Sequence, residues 1–163
     1  MSGANSDKID SVYNAEADML YRIALTYLHN RDDAEDVVHD AFMIYLQKAP
    51  HFYSVKKERA WLCRVTVNLC RDALRRRAVR QHDSLDDPEG TGAPAAKDHY
   101  PVELFDLLDR LPEKLRLVTV LHYLEGFSVS EVAAMTASSA SAVKMRLSRA
   151  RASLQELFGD KNA

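Results

Sequence analysis

Residues 128–154 read SVSEVAAMTASSASAVKMRLSRARASL, and the way this stretch folds decides the architecture of the chain. Ser128 followed three residues later by Glu131 is the pattern of a capping box, in which each side chain satisfies the other's free backbone N–H at a helix start. The helix it opens must be short, because Thr136-Ala137-Ser138 interrupts the apolar spacing. Ser139 then caps a second helix, predicted to run to about Leu157. On a 100° wheel Val143, Leu147, Ala150 and Leu154 fall on one narrow stripe, the side that packs on the preceding helices. Ser141, Lys144, Met145, Ser148 and Arg149 take the opposite arc, with Arg146 and Arg151 at its margins. Two helices joined by a short turn, the second basic and without an acid through Arg151, form the helix-turn-helix pattern.

Working outward, the apolar spacing predicts helices over 101–110 and 112–124, the latter opened by Pro112 in a first-turn position and closed by Gly126. In the N-terminal half it predicts helices over 8–29, 32–48 and 59–77, with HFYSVKK (51–57) as a loop after Pro50. The intervening VRQHDSLDDPEGTGAPAAKDHY (79–100) has close-set glycines, prolines and little that could form a core, which marks a linker. Extended, it would span roughly 70 Å at about 3.3 Å per residue. No alternating strand pattern and no repeat occurs. The expected fold is all-α: two small helical domains, 8–78 and 101–158, joined by a flexible acidic linker, 79–100.

A chain of 163 residues that is 47% hydrophobic and 28% charged has globular composition and room for a core in each domain. Its first twenty residues hold acids and no apolar run, and no later segment approaches eighteen uncharged apolar residues, so the reading is a cytoplasmic chain with no membrane insertion. Cys63 and Cys70 stand seven apart on one predicted helix, about 10 Å along its axis, too far for a disulfide, and should be small buried hydrophobes. The six histidines lack metal-ligand spacing, so no metal and no cofactor is expected. No Gly-rich phosphate loop and no paired nucleophile and base suggest catalysis.

The formal net charge of −2 hides segregation. Residues 30–48 carry five acids against two cations, 56–80 nine cations against two acids, 81–113 nine acids against two cations, and 139–151 four cations and no acid. Separated basic blocks predict two polyanion contacts with an acidic segment between them that limits non-specific binding.

Each block carries its own chemistry. On 59–77 the stripe Leu62, Val65, Thr66, Leu69 and Ala73 should be buried. Trp61, Arg64, Asn68, Arg71 and Arg75 share the other face, where a ring could stack a base, an amide read its edge and guanidinium groups hold a backbone, as single-stranded DNA requires. Phe52, Tyr53, Lys56 and Lys57 in the preceding loop extend that surface. On 32–48, Ala34, Val37, Val38, Ala41 and Tyr45 should pack inward. The opposite side, with Asp36, His39, Asp40 and Met43, is acidic around an exposed methionine, which fits a protein partner better than DNA. On the basic helix, Lys144, Met145 and Ser148 suit base edges in a major groove, and Arg146, Arg149 and Arg151 suit phosphates.

In their order and spacing these faces resemble the extracytoplasmic-function (ECF) sigma factors of bacterial RNA polymerase, over nearly the whole chain. RDDAEDVVHDAF (31–42) resembles the family's acidic helix that grips the polymerase clamp. ERAWLCRVTVNLCRDALRRR (58–77) resembles its element that captures the −10 promoter strand. LPEKLRLVTVLHYLEGFSVSEVAAM (111–135) followed by SAVKMRLSRARASL (141–154) resembles its domain 4, which binds the −35 duplex. The resemblance implies sigma domain 2 in 8–78 and sigma domain 4 in 101–158. It implies polymerase contacts from Asp36, His39, Asp40 and Met43, with His39 where glutamine is more usual. It assigns the melted −10 strand to 51–75 and the −35 duplex to 139–151. The implied partners are core RNA polymerase, promoter DNA and an anti-sigma protein, with the free chain a monomer. One departure stands out: Ala137, Ser141 and Ala142 occupy places where the family commonly has glycine, glycine and threonine. Alanine at a turn position needing positive φ is strained by about 1 kcal/mol, which would favour another turn geometry and weaken −35 binding.

Two other readings remain. A sigma-like decoy that titrates an anti-sigma protein is slightly favoured by the altered turn and opposed by the intact Lys144–Arg151 face and the −10 face. A plain helix-turn-helix repressor would need no acidic polymerase face and would usually carry a dimerisation segment, which is not evident.

Overall fold

The computed structural model describes residues 2–83 and 102–162, and among these every regular element is a helix. They belong to two compact units whose boundary falls between the described parts. Most of the stretch read as a linker, 84–100, lies outside the described residues.

The first unit is three helices packed pairwise: α1 (Ser2–Leu28), α2 (Arg31–Lys48) and α3 (Val55–Asp83). α1 buries Val12, Glu16, Met19 and Leu20 at helical spacing, on one face, and then every residue from Ile23 to Leu28, so its last turns are covered on all sides. Its end is sharp. His29 takes a positive φ of 54° and donates its backbone N–H to Leu25 at 2.8 Å. Asn30 then caps α2, its side chain accepting from the Asp33 N–H at 2.9 Å. α2 buries Ala34, Val37, Val38, Ala41 and Tyr45 as expected, with Phe42 added.

α3 departs from the expectation in three ways. It begins at Val55 rather than 59, because Ser54 acts as its cap and accepts from the Lys57 N–H at 3.2 Å. Lys56 and Lys57 are therefore on its first turn and not in a loop. It also continues to Asp83, beyond the start of the stretch read as linker. Its most buried residues are Leu62, Cys63, Thr66, Val67 and Cys70, whereas Val65, Leu69 and Ala73 are only half-buried. The deepest line of the helix is thus rotated toward small side chains. Both cysteines are buried thiols that form no disulfide. Glu16, almost fully buried on α1, is paired with Arg59 of α3 at 2.9 Å, which answers the cost of burying its carboxylate.

The second unit comprises α4 (Val102–Asp109), α5 (Glu113–Thr119), α6 (Val129–Met135) and α7 (Ala140–Asn162). Pro112 is the residue just before α5, where its lack of an N–H leaves nothing unsatisfied. Beyond Thr119 the helix widens into a π turn over Val120–Leu124, with Glu125 N–H bonded to the Val120 carbonyl at 2.9 Å. Gly126 closes it at φ 81°, a conformation that suits glycine. Leu108, Leu111, Val120 and Ala150 form a core against which Leu104, Leu115, Leu124 and Leu154 pack. No helix among the described residues is long and apolar enough to cross a membrane.

Candidate nucleic-acid interface

The turn between α6 and α7 places the basic helix. The capping box forms as the sequence predicts: Ser128 Oγ accepts from the Glu131 N–H at 3.1 Å and Glu131 Oε1 accepts from the Ser128 N–H at 3.1 Å. α6 ends in a Schellman arrangement, with Ser138 N–H donating to Ala133 at 2.9 Å and Ala137 N–H to Ala134 at 3.5 Å. That arrangement needs a left-handed residue between them, and Ala137 supplies it at φ 51°. The expectation of a different turn geometry is therefore wrong. The turn keeps the positive φ that glycine would take and accepts about 1 kcal/mol of strain to do so. Ser139 caps α7, accepting from the Ala142 N–H at 3.0 Å.

On α7, Val143, Leu147 and Ala150 are buried, and Leu154 is half-buried. This fixes which side faces solvent. Lys144, Met145, Ser148 and Arg149 are exposed, Met145 at 50%. Among the described residues Lys144 and Arg149 have no hydrogen-bond or ion-pair partner, so both can meet an external acceptor. Two of the arginines read as phosphate contacts are already engaged. Arg146 is half-buried and donates from Nη1 to Ser138 Oγ at 2.8 Å. Arg151 is exposed but donates from Nη1 to Tyr123 Oη at 2.6 Å. Neither Ser138 nor Tyr123 was singled out from the sequence, since a bond eight residues back along the chain, or across to another helix, lies outside any helical spacing rule.

In the first unit the aromatic residues separate into two roles. Tyr45, Phe52 and Trp61 form a cluster: Tyr45 and Phe52 are stacked at 6.5 Å, and Phe52 and Trp61 meet edge-on at 5.7 Å. Trp61 is half-buried in it, so it braces the 49–54 loop as much as it offers a stacking face. Tyr53 is the ring left outside, 88% exposed, with His51 against its edge at 5.9 Å and Lys57 Nζ at 5.6 Å from its centroid. An exposed ring with a lysine ammonium beside its face is a place where an unpaired base could stack. Arg64 and Asn68, one and two turns beyond Trp61 on α3, are exposed and have no partner among the described residues. Arg71 is half-buried and reaches Tyr27 Oη at 3.4 Å, while Arg75 is exposed and 3.7 Å from Asp72.

Asp36, His39, Asp40 and Met43 all lie on the exposed side of α2, Met43 at 42%. Their setting was not legible beforehand. Asp33, Asp36 and Asp40 line one wall of a cleft of about 440 Å³, and Arg76, Arg77 and Arg80 of α3 line the other. Arg77 closes one end, donating from Nη2 to Asp33 Oδ2 at 2.6 Å and from Nη1 to the Leu28 carbonyl at 3.1 Å. The surface is thus two opposed charged walls, not an acidic face alone. The run Arg75-Arg76-Arg77 was the available signal, but its partners lie on a different helix.

The family description "Sigma-70 region 2" matches residues 12–80 and "Sigma-70, region 4" matches residues 102–154. The chain is 29% identical over 150 residues to the ECF RNA polymerase sigma factor SigM of Mycobacterium tuberculosis, spanning 92% of this chain and 76% of that protein. It is 34% identical to the RNA polymerase sigma factor CnrH of Cupriavidus metallidurans, over 77% of this chain and 73% of the relative. The solved sigma factor RpoE of Bartonella quintana, in complex with the anti-sigma factor NepR, superposes with a TM-score of 0.73 at 25% identity, covering 96% of this chain and 97% of that one. The two matches fall in chain order, one on each unit, and each takes in the basic helix of its unit. The chain accordingly belongs to the extracytoplasmic-function sigma factors of RNA polymerase, proteins of transcription initiation.

Proposed function

We propose that this sigma factor divides its work by surface. Asp36, His39, Asp40 and Met43 of α2 engage core RNA polymerase. The loop with Phe52 and Tyr53, with Lys56, Lys57, Trp61, Arg64, Asn68, Arg71 and Arg75 of α3, receives the melted −10 strand. Lys144, Met145 and Ser148 of α7 read the −35 duplex, with Arg149 and Arg151 on its phosphates. The chain performs no chemistry itself and acts in the cytoplasm, where the polymerase is. The RpoE–NepR pairing supports adding an anti-sigma protein as its regulator. The observation that carries this reading is the acid-free, solvent-facing arc Lys144–Arg149, fixed outward by the burial of Val143, Leu147 and Ala150.

The decoy reading is less well supported, because the turn keeps its left-handed geometry despite Ala137 and presents α7 intact. The deciding experiment adds the purified chain to sigma-free core polymerase and maps the 5′ ends of transcripts made from genomic DNA. Defined starts sharing a two-part upstream motif are expected. Core binding without defined starts would favour the decoy, and no core binding would leave a plain DNA-binding repressor.

A further inference from the structure

Arg146 stands apart from the other cations of α7. Lys144 and Arg149 are exposed and unpartnered among the described residues, whereas Arg146 is half-buried and turned back along the helix to Ser138 Oγ at 2.8 Å. Long side chains on a helix point toward its N-terminus, so this reach needs no distortion. Ser138 in turn donates its hydroxyl proton to the Thr136 carbonyl at 3.2 Å. The chain Arg146, Ser138, Thr136 therefore crosses Ala137, the residue at φ 51°.

The juxtaposition has a physical logic. A left-handed alanine tends to relax toward negative φ more readily than glycine does. Only Ser138 and the cap Ser139 separate it from α7, so any relaxation there swings the basic helix relative to α6. A guanidinium bond to the serine is charge-assisted and stronger than a neutral one, and the serine ties it to the residue before the alanine. The structure thus pins both sides of the strained position from a point two turns into α7.

We propose that Arg146 is a positioning residue, not a phosphate contact: through Ser138 it locks the glycine-free turn and so sets the angle at which Lys144, Met145 and Ser148 meet the −35 duplex. The inference rests on the −35 reading of α7 above.

The test uses the full chain and a fluorescein-labelled 30-base-pair duplex spanning the −35 region of a promoter found by start-site mapping, with affinity read by anisotropy across a salt series. Arg146→Ala and Ser138→Ala should each weaken binding roughly five- to tenfold, and the double variant should be no worse than the poorer single one. Ala137→Gly should restore the Arg146→Ala variant to near wild-type affinity, and the slope of log K against log salt should not change. If instead Arg146→Ala lowers that slope by about 0.9, Ser138→Ala is silent and glycine gives no rescue, Arg146 is a phosphate contact and the proposal falls. Lys144→Ala is the control for the underlying reading. Should it leave affinity untouched, the −35 assignment fails. The urea-denaturation cycle of Arg146→Ala and Ser138→Ala then decides the clamp alone: coupled losses retain it, and additive losses end it.

Discussion

The hydroxyl of Tyr45 on α2 donates a 2.9 Å hydrogen bond to the Glu58 carboxylate on the first turn of α3. The bond ties the two ends of the 49–54 loop together beneath exposed Tyr53. Burial first, then this bond and the negative charge of Glu58, push the Tyr45 phenol up to about 12.

An alkaline signature follows. Because the folded state raises the tyrosine above its unfolded value of about 10, its contribution is fully present below that value and is lost as pH climbs through about 12. Urea denaturation should therefore show wild-type stability falling between about pH 10 and 12 more steeply than that of Tyr45→Phe. Parallel curves for the two proteins would show that the phenol carries no such linkage.

Arg77 joins three helices through Asp33 and the Leu28 carbonyl. Both side chains of the pair are partly exposed, so Arg77→Ala should cost about 1 kcal/mol, not the several expected of a buried pair. Asp33→Asn should cost less, and the double variant should fall short of the sum. Equilibrium unfolding of the four proteins measures this.

The two sides of α7 should separate stability from binding. Leu147→Ala removes a buried side chain and should destabilise the second unit by about 2–4 kcal/mol. Lys144→Ala should leave stability within about 0.5 kcal/mol yet weaken a good −35 duplex by about 1–3 kcal/mol. Thermal unfolding and anisotropy on the same preparations compare them, and equal losses on every promoter sequence would count against base reading by Lys144.

For the proposed polymerase contact on α2, Asp36→Arg would set a new cation opposite Arg76, Arg77 and Arg80 in the same cleft and so confuse folding with binding. Asp36→Asn is the cleaner change. It should weaken core polymerase binding roughly fivefold, on the order of 1 kcal/mol, with an unchanged urea midpoint. Unchanged core affinity in a competition assay would remove Asp36 from that interface.

What could be read from the sequence was whatever depends on local spacing. The capping box at Ser128, the cap at Ser139 and the buried stripe of α7 needed only the helical period and short-range hydrogen bonding. α3 was harder. Leu62, Thr66 and the two cysteines are buried as their types and spacing suggest, but Val67 joins them at the deepest line while Val65, Leu69 and Ala73 are only half-buried. Pairings such as Arg59 with Glu16 and Arg77 with Asp33 join residues more than forty apart, so no local rule could select them. Even the clamp on Ala137 was hidden, because Arg146 looked like one more cation on a basic helix.

The opposed charged walls of the α2–α3 cleft bear on how this protein finds DNA. Residues 2–83 hold thirteen lysines and arginines against twelve aspartates and glutamates, so from afar this part of the chain is almost neutral. In physiological salt a charge is screened over about 8 Å, and at that range the facing carboxylates and guanidinium groups cancel one another's fields. Duplex DNA therefore exerts little pull on this unit until the two are nearly touching. On the proposed reading, its basic helix would come into play by delivery rather than by attraction, with whatever binds α2 setting where α3 arrives.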